Sequence, residues 1–222
     1  MTSAKFITFE GGEGAGKSTQ VKLLAERLRE RDISVIVTRE PGGTKRGEKI
    51  REFLLSGKAK DYGPIGEAVL FSAAREDHVR TLIRPALGRG DWVLCDRFSD
   101  STAAYQGAAC GVKPSLLRAL ERVCVDQTMP DLTFMLDLPP EVGLKRARKR
   151  ATEHATELES ESAGQPDRFE GMDLAFHSAL REAFLTIARE RPERCFVIDA
   201  QQAQTAVAEH IWEVVLERFL QS

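Results

Sequence analysis

The stretch GGEGAGKS, from Gly11 to Ser18, fits the spacing G-x-x-x-x-G-K-[ST]. Gly11, Gly12, Gly14 and Gly16, with the small Ala15, let backbone N–H groups turn toward phosphate oxygens without Cβ interference. Lys17 is spaced to reach the β- and γ-phosphates, Ser18 offers a hydroxyl to Mg²⁺, and Glu13 lies inside the loop. The apolar run KFITFE precedes the motif and the amphipathic TQVKLLAERLRERD follows it. A strand, a glycine turn and a helix N-terminus with its dipole together make an anion site. The chemistry is nucleoside triphosphate binding.

A second reactive group sits in WVLCDRFSDSTAAYQG, from Trp92 to Gly107. Asp96 ends an apolar run, where it can hold Mg²⁺ directly or through water; the competing role is a helix N-cap. Motor and transporter ATPases follow their metal aspartate with a water-activating glutamate, but here Arg97 follows. A positive charge at that point suits a second anion. The chain contains no asparagine, so no N-K-x-D guanine reader exists, and no aspartate has a glycine three residues on. Those absences exclude a regulatory GTPase. What remains is a phosphotransferase whose acceptor is itself a phosphate. With a second pKa of about 6 such an acceptor is nucleophilic at neutral pH, so it needs cations and not a general base. Arg39, Arg51, Arg75, Arg97 and the run RARKR provide them.

The elements that must position these groups follow from hydrophobic period. Strands are expected at residues 5–10, 33–39, 91–96, 132–138 and 195–200. Helices are expected through TQVKLLAERLRERD, through KRGEKIREFLLSG with Gly57 as its stop, at about 66–87, and at about 205–220. Strands separated by helices predict an α/β fold of three layers, a five-stranded parallel sheet covered on both faces. No internal repeat occurs. One biased segment, 145–171, is basic in its first third, acidic and Ser/Thr-rich in its middle, and carries Gln165-Pro166 near its end. Two readings stand: a solvated helix end with a surface loop, or a lid that brings arginines over a substrate.

Composition sets outer limits. Hydrophobic residues make up 42% and charged residues 30% of 222, the balance of a soluble globular protein. With 32 basic and 34 acidic side chains the net charge is -2, so nothing global points to nucleic acid or membrane, and an anion site must be local. The four cysteines form no CxxC pair, which favours reduced thiols over a disulfide framework or zinc site. No leader and no long apolar run is present, and a cytoplasmic protein is expected.

FEGGEGAGKSTQ, TREPGGT, VLFSAAREDH, DRFSDSTAAYQG and DRFE occur in that order along the chain, which resembles the bacterial thymidylate kinases. The resemblance implies one P-loop nucleoside-monophosphate-kinase domain over 1–222 with a lid at about 145–171. It implies ATP and dTMP as substrates, Mg²⁺ as cofactor, a homodimer, and no nucleic-acid or membrane partner. On this chain Phe71 would stack on thymine and Arg75, four residues on, would bond its carbonyl edge. Without the resemblance, Phe71 reads as core packing. Arg51 and Arg97 would clamp the acceptor phosphate, Tyr105 would lie where a 2′-hydroxyl would clash, and Gln106 would fix base or sugar. Glu13 would face the 3′-hydroxyl, against the alternative of an exposed loop residue. Glu40-Pro41 is a candidate cis peptide. Some family members carry a basic residue within the P-loop, but here those positions are Glu13, Gly14 and Ala15. The transfer charge would then come from the lid: Arg146, Arg148 and Arg150, with Arg168 in DRFE. Adenine would rest near residues 200–202.

Overall fold

The computed structural model describes residues 3–157, 169 and 171–221. Five strands appear where the apolar runs place them, with ends trimmed by a residue or two: β1 (Phe6–Glu10), β2 (Val35–Arg39), β3 (Trp92–Asp96), β4 (Leu132–Asp137) and β5 (Cys195–Asp199). They pair in parallel in the order β2-β3-β1-β4-β5. The inner strands are buried almost throughout, which is why they read as unbroken apolar runs. The edge strands β2 and β5 instead leave Val37 and Val197 half in solvent.

Nine α-helices connect and cover the sheet among the described residues: α1 (Lys17–Arg29), α2 (Lys45–Leu55), α3 (Gly63–His78), α4 (Arg84–Gly88), α5 (Ser99–Thr102), α6 (Pro114–Cys124), α7 (Pro140–Glu157), α8 (Leu174–Glu190) and α9 (Gln204–Val215). Gly57 follows α2 at φ 81°, the left-handed stop expected of it. The single helix expected over 66–87 is instead two, joined by a wide π turn at Val79–Ile83. Pro85 explains the break: it has no N–H to give the residue-81 carbonyl and its ring crowds that carbonyl, so the ladder opens ahead of it. The last helix likewise ends early and passes into a π turn at Leu216–Leu220.

One core packs α1 and α9 on the sheet through Leu24, Leu28, Ile211 and Val215 against Phe9, Leu94 and Phe134. On the opposite face Phe6, Val93 and Phe98 meet Ile83 and Ala86, and a third cluster gathers Tyr105, Phe169, Phe176 and Phe184. All four cysteines are free thiols, and no described helix is long and apolar enough to cross a membrane.

Register determines the site. β3 lies between β1 and β2, so both Phe9 and Arg39 stand opposite Asp96. The loops leaving Glu10, Arg39 and Asp96 therefore emerge side by side at one sheet edge, where open α/β sheets bind ligands. The first turn of α7 docks on the glycine loop from the other side. A Cβ on Gly14 would lie 2.1 Å from the Gly143 carbonyl, and one on Gly143 would lie 2.3 Å from that of Glu13. Only two glycines permit that approach.

Candidate active site

α1 starts at Lys17 behind Gly16, whose φ of 90° turns the loop into the helix. No side chain caps α1, so its first-turn N–H groups are left to an anion. Lys17 Nζ donates to the carbonyls of Gly11 and Gly12 at 3.1 and 2.8 Å. Burial, and then the nearby Arg97, lower its pKa to about 8 against the pull of Glu13, Asp96 and Glu10. Ser18 Oγ donates to Asp96 Oδ2, bringing together the hydroxyl and carboxylate that the spacing assigned to a metal. Asp96 is thus no helix cap: the next helix begins at Ser99 behind Phe98.

Arg97 adopts φ 69°, a left-handed backbone that a long side chain rarely takes. The strain is held by bonds on every side. Its N–H donates to Phe9 O at 2.9 Å, and its guanidinium donates to Gly11 O at 3.0 Å and to Glu13 Oε1 at 2.8 Å, 5.1 Å above the Tyr105 ring. The Tyr105 hydroxyl donates to the same Glu13 oxygen at 2.5 Å. Glu13 is therefore an inward, bonded carboxylate and not an exposed loop residue. Burial would raise its pKa, but Arg97, Lys17 and the Tyr105 hydroxyl outweigh that and hold it at about 2. Burial likewise opposes the charge of Arg97, and Tyr105, Glu13, Asp96 and Glu10 overcome it, keeping the guanidinium above the ordinary arginine value.

A cleft of about 800 Å³ opens beside this group. The cradle from Glu13 to Ser18 forms one wall, Asp96, Arg97, Tyr105 and Gln106 a second, and Arg39, Arg51, Phe71 and Arg75 a third. Arg51 donates to Pro41 O at 2.9 Å, beyond a cis Glu40-Pro41 peptide. Phe71 is half-buried: it packs on the Tyr105 cluster and also faces the cleft. Gln106 is almost fully buried, yet its Nε2 has no hydrogen-bond partner among the described residues. An orphan donor in the wall of a cleft points to a ligand acceptor. Arg39 is engaged by Glu48 at 3.1 Å.

Among the described residues, Arg146 and Arg148 do not line this cleft. Lys145 to Glu157 continue α7, where Arg146 donates to Ala200 O at 3.0 Å and Arg148 is exposed. Arg150 lies on the same helix, while Arg168 and the acidic part of the biased segment fall outside the described residues. Two carboxylates escaped the sequence reading. Glu10, fully buried, accepts the N–H of Phe98 at 2.7 Å and the Ser101 hydroxyl at 2.6 Å, and so holds the loop that strains Arg97. Burial and then Asp100 raise its pKa to about 7. Glu40 binds Arg75 at 2.7 Å. A carboxylate closing a buried apolar strand, as Glu10 does, was the available signal.

Comparison with known proteins agrees with this geometry. A sequence model of the thymidylate kinase family matches residues 9–211. The chain is 51% identical over 216 residues to a thymidylate kinase of Bradyrhizobium diazoefficiens, covering 97% of this chain and 90% of that one. It is 52% identical over 222 residues to a thymidylate kinase of Rhodopseudomonas palustris strain BisB18, covering 100% and 92%. Among solved structures, the crystal structure of thymidylate kinase from Ehrlichia chaffeensis superposes with a TM-score of 0.73 at 34% identity, over 96% of this chain and 99% of that one.

Proposed function

The chain belongs to the thymidylate kinase family and phosphorylates dTMP to dTDP at the expense of ATP, and from that premise we propose which residues do it. The ATP phosphates lie in the loop from Gly11 to Ser18, against its backbone N–H groups and Lys17. The adenine rests by residues 200–202, where Arg146 already steadies the Ala200 carbonyl. Ser18 and Asp96 present adjacent hard oxygens, a donor set that fits Mg²⁺ held chiefly by phosphate. Bound there with ATP, the ion neutralises charge on the phosphate oxygens.

The acceptor dTMP occupies the cleft. Its base stacks on Phe71, a contact worth roughly 1–3 kcal/mol, with Arg75 at the carbonyl edge and Gln106 Nε2 donating to base or sugar. Tyr105 stands where a ribose 2′-hydroxyl would go, and Glu13 faces the 3′-hydroxyl. Arg51 and Arg97 hold the 5′-phosphate, which attacks as an anion with no base to deprotonate it. Arg148 and Arg150 of α7, with Arg168, neutralise the transferred phosphoryl group as the segment over 145–171 closes and excludes water. We place the whole in one domain, working as a cytoplasmic homodimer.

The observation that carries this reading is Arg97, held in a strained left-handed turn between the phosphate loop and the acceptor cleft. An ADP-release assay with ATP, Mg²⁺ and each monophosphate in turn tests it. The expected signal is strong with dTMP and weaker with dUMP, since a methyl group is worth about 1–3 kcal/mol, and near zero with ribonucleotides. ADP release that needs no acceptor would make the protein an ATPase and leave Arg97 unexplained.

A further inference from the structure

Behind the cleft, between the end of β2 and α3, runs a chain of buried polar groups that phosphoryl transfer does not use. Glu40 divides its two oxygens: Oε2 accepts from Arg75 Nε at 2.7 Å, and Oε1 accepts from His78 Nδ1 at 3.0 Å. On the far side of the ring, His78 Nε2 meets Thr38 Oγ1 at 2.7 Å. A carboxylate can only accept, so Nδ1 carries the proton, and in the neutral ring Nε2 accepts from the threonine hydroxyl. Arg75 Nη2 extends the chain to Phe98 O at 3.1 Å and Thr102 Oγ1 at 2.9 Å, with the guanidinium 5.3 Å from the Phe98 ring centre. Thr38, Glu40, Arg75 and His78 are all buried, His78 completely.

The turn after β2 is folded down on this chain. Gly43 has φ 79°, and a Cβ there would lie 2.5 Å from Thr38 Oγ1 and 2.6 Å from His78 Nε2. No side chain fits between turn and ring. Burying a guanidinium, a carboxylate and an imidazole together carries a desolvation penalty that apolar side chains of similar size would not incur. Packing alone does not call for them. Arg75, however, also lines the acceptor cleft. A flexible arginine fixed before the base arrives loses no rotamer freedom on binding it.

We propose that Glu40 and His78 are positioning residues that aim Arg75 at the carbonyl edge of the pyrimidine, so that the choice between a carbonyl and an amino group there is set from behind the pocket. This rests on the reading of Arg75 given above. Neither residue touches the nucleotide; each acts through Arg75.

The test measures dissociation constants for dTMP, dUMP, dCMP and ATP by calorimetry on the wild type, His78→Phe, His78→Gln and Arg75→Met, each first shown folded by its circular dichroism melt. His78→Phe keeps the ring volume and removes both hydrogen bonds. It is expected to weaken dTMP and dUMP by a common factor of about tenfold. Binding of dCMP, which offers an amino group at that edge, and of ATP is expected to change by less than about twofold. His78→Gln, which can still bond both neighbours, is expected to recover most of the loss. Equal weakening of dCMP and dTMP, or a folded His78→Phe that binds dTMP normally, would overturn the proposal. Arg75→Met separates the two levels: if it too binds dTMP normally, the role of Arg75 fails, and if it alone weakens binding, only the positioning chain fails. Should His78→Phe not fold, Thr38→Val cuts the last link alone, and the same pattern is expected at about threefold.

Discussion

The glycine loop with its acceptor wall and the outer length of α7 both carry arginines, but they hold them on opposite terms. In the cradle Arg97 is matched inside the protein by Glu13 at 2.8 Å, and Glu13 again by the Tyr105 hydroxyl at 2.5 Å. Along α7, Arg148 is exposed, and Lys149 pairs with Glu153 at 3.6 Å with side chains 77% and 62% exposed. Such exposed pairs contribute about 0–1 kcal/mol at most. The two regions touch through the Gly14–Gly143 contact, which fixes the base of α7 against the phosphate loop. The difference teaches that the acceptor side is organised before substrate arrives, whereas Arg148 on α7 stands in solvent, where charge can recruit it.

That comparison can be broken at its arm first. Arg148→Ala is expected to lower kcat on the order of 10³-fold with no change in melting temperature, because an exposed side chain leaves nothing unpaired behind. Steady-state kinetics beside a calorimetric melt reads both. A kcat within about tenfold of wild type would remove Arg148 from the transfer step.

The cradle should fail differently. Glu13→Ala strands the Arg97 guanidinium beside the phosphate loop, and is expected to cost about 3 kcal/mol of stability, as for one partner of a buried pair. It should also lower kcat/KM for dTMP about 10²-fold. Urea unfolding checks the first and initial-rate kinetics the second. A variant with unchanged unfolding midpoint would show that the charges are matched for chemistry alone.

The smallest effect is a pH limb. Lys17, lowered to about 8, carries its charge below that pH and loses it above. Since the charged form holds phosphate, kcat/KM for ATP in the free enzyme should fall about tenfold per pH unit above the midpoint. Glu13, held at about 2, stays ionised throughout and adds no limb of its own. A flat profile from pH 7 to 10 would mean that the Lys17 charge is better sheltered than its burial implies.

Much of the candidate site was legible before folding was considered. GGEGAGKS pointed to a phosphate loop because its spacing is local, and Arg97 directly after Asp96 pointed to a second anion because no water-activating residue follows the aspartate. Glu13 was located but not its partners, because the Arg97 and Tyr105 that hold it lie 84 and 92 residues away. The helix over 66–87 was seen as helical, but its π turn came from Pro85 acting on a carbonyl a turn earlier, which hydrophobic period does not register.

The sequence by itself determined the order of strands and helices, the phosphate chemistry and the family, since period, spacing and motif are properties of short stretches. Only the tertiary structure decided that β3 runs between β1 and β2, setting Asp96 beside Phe9 and Arg39. It also decided the roles of the buried carboxylates. Glu10 closes β1 and Glu13 stands three residues on in the loop that follows, yet one is raised to about 7 and the other lowered to about 2. Desolvation raises both; what differs is that the long-range fold sets Asp100 beside Glu10, where it adds to that effect, and sets Arg97, Lys17 and the Tyr105 hydroxyl around Glu13, where together they overcome it.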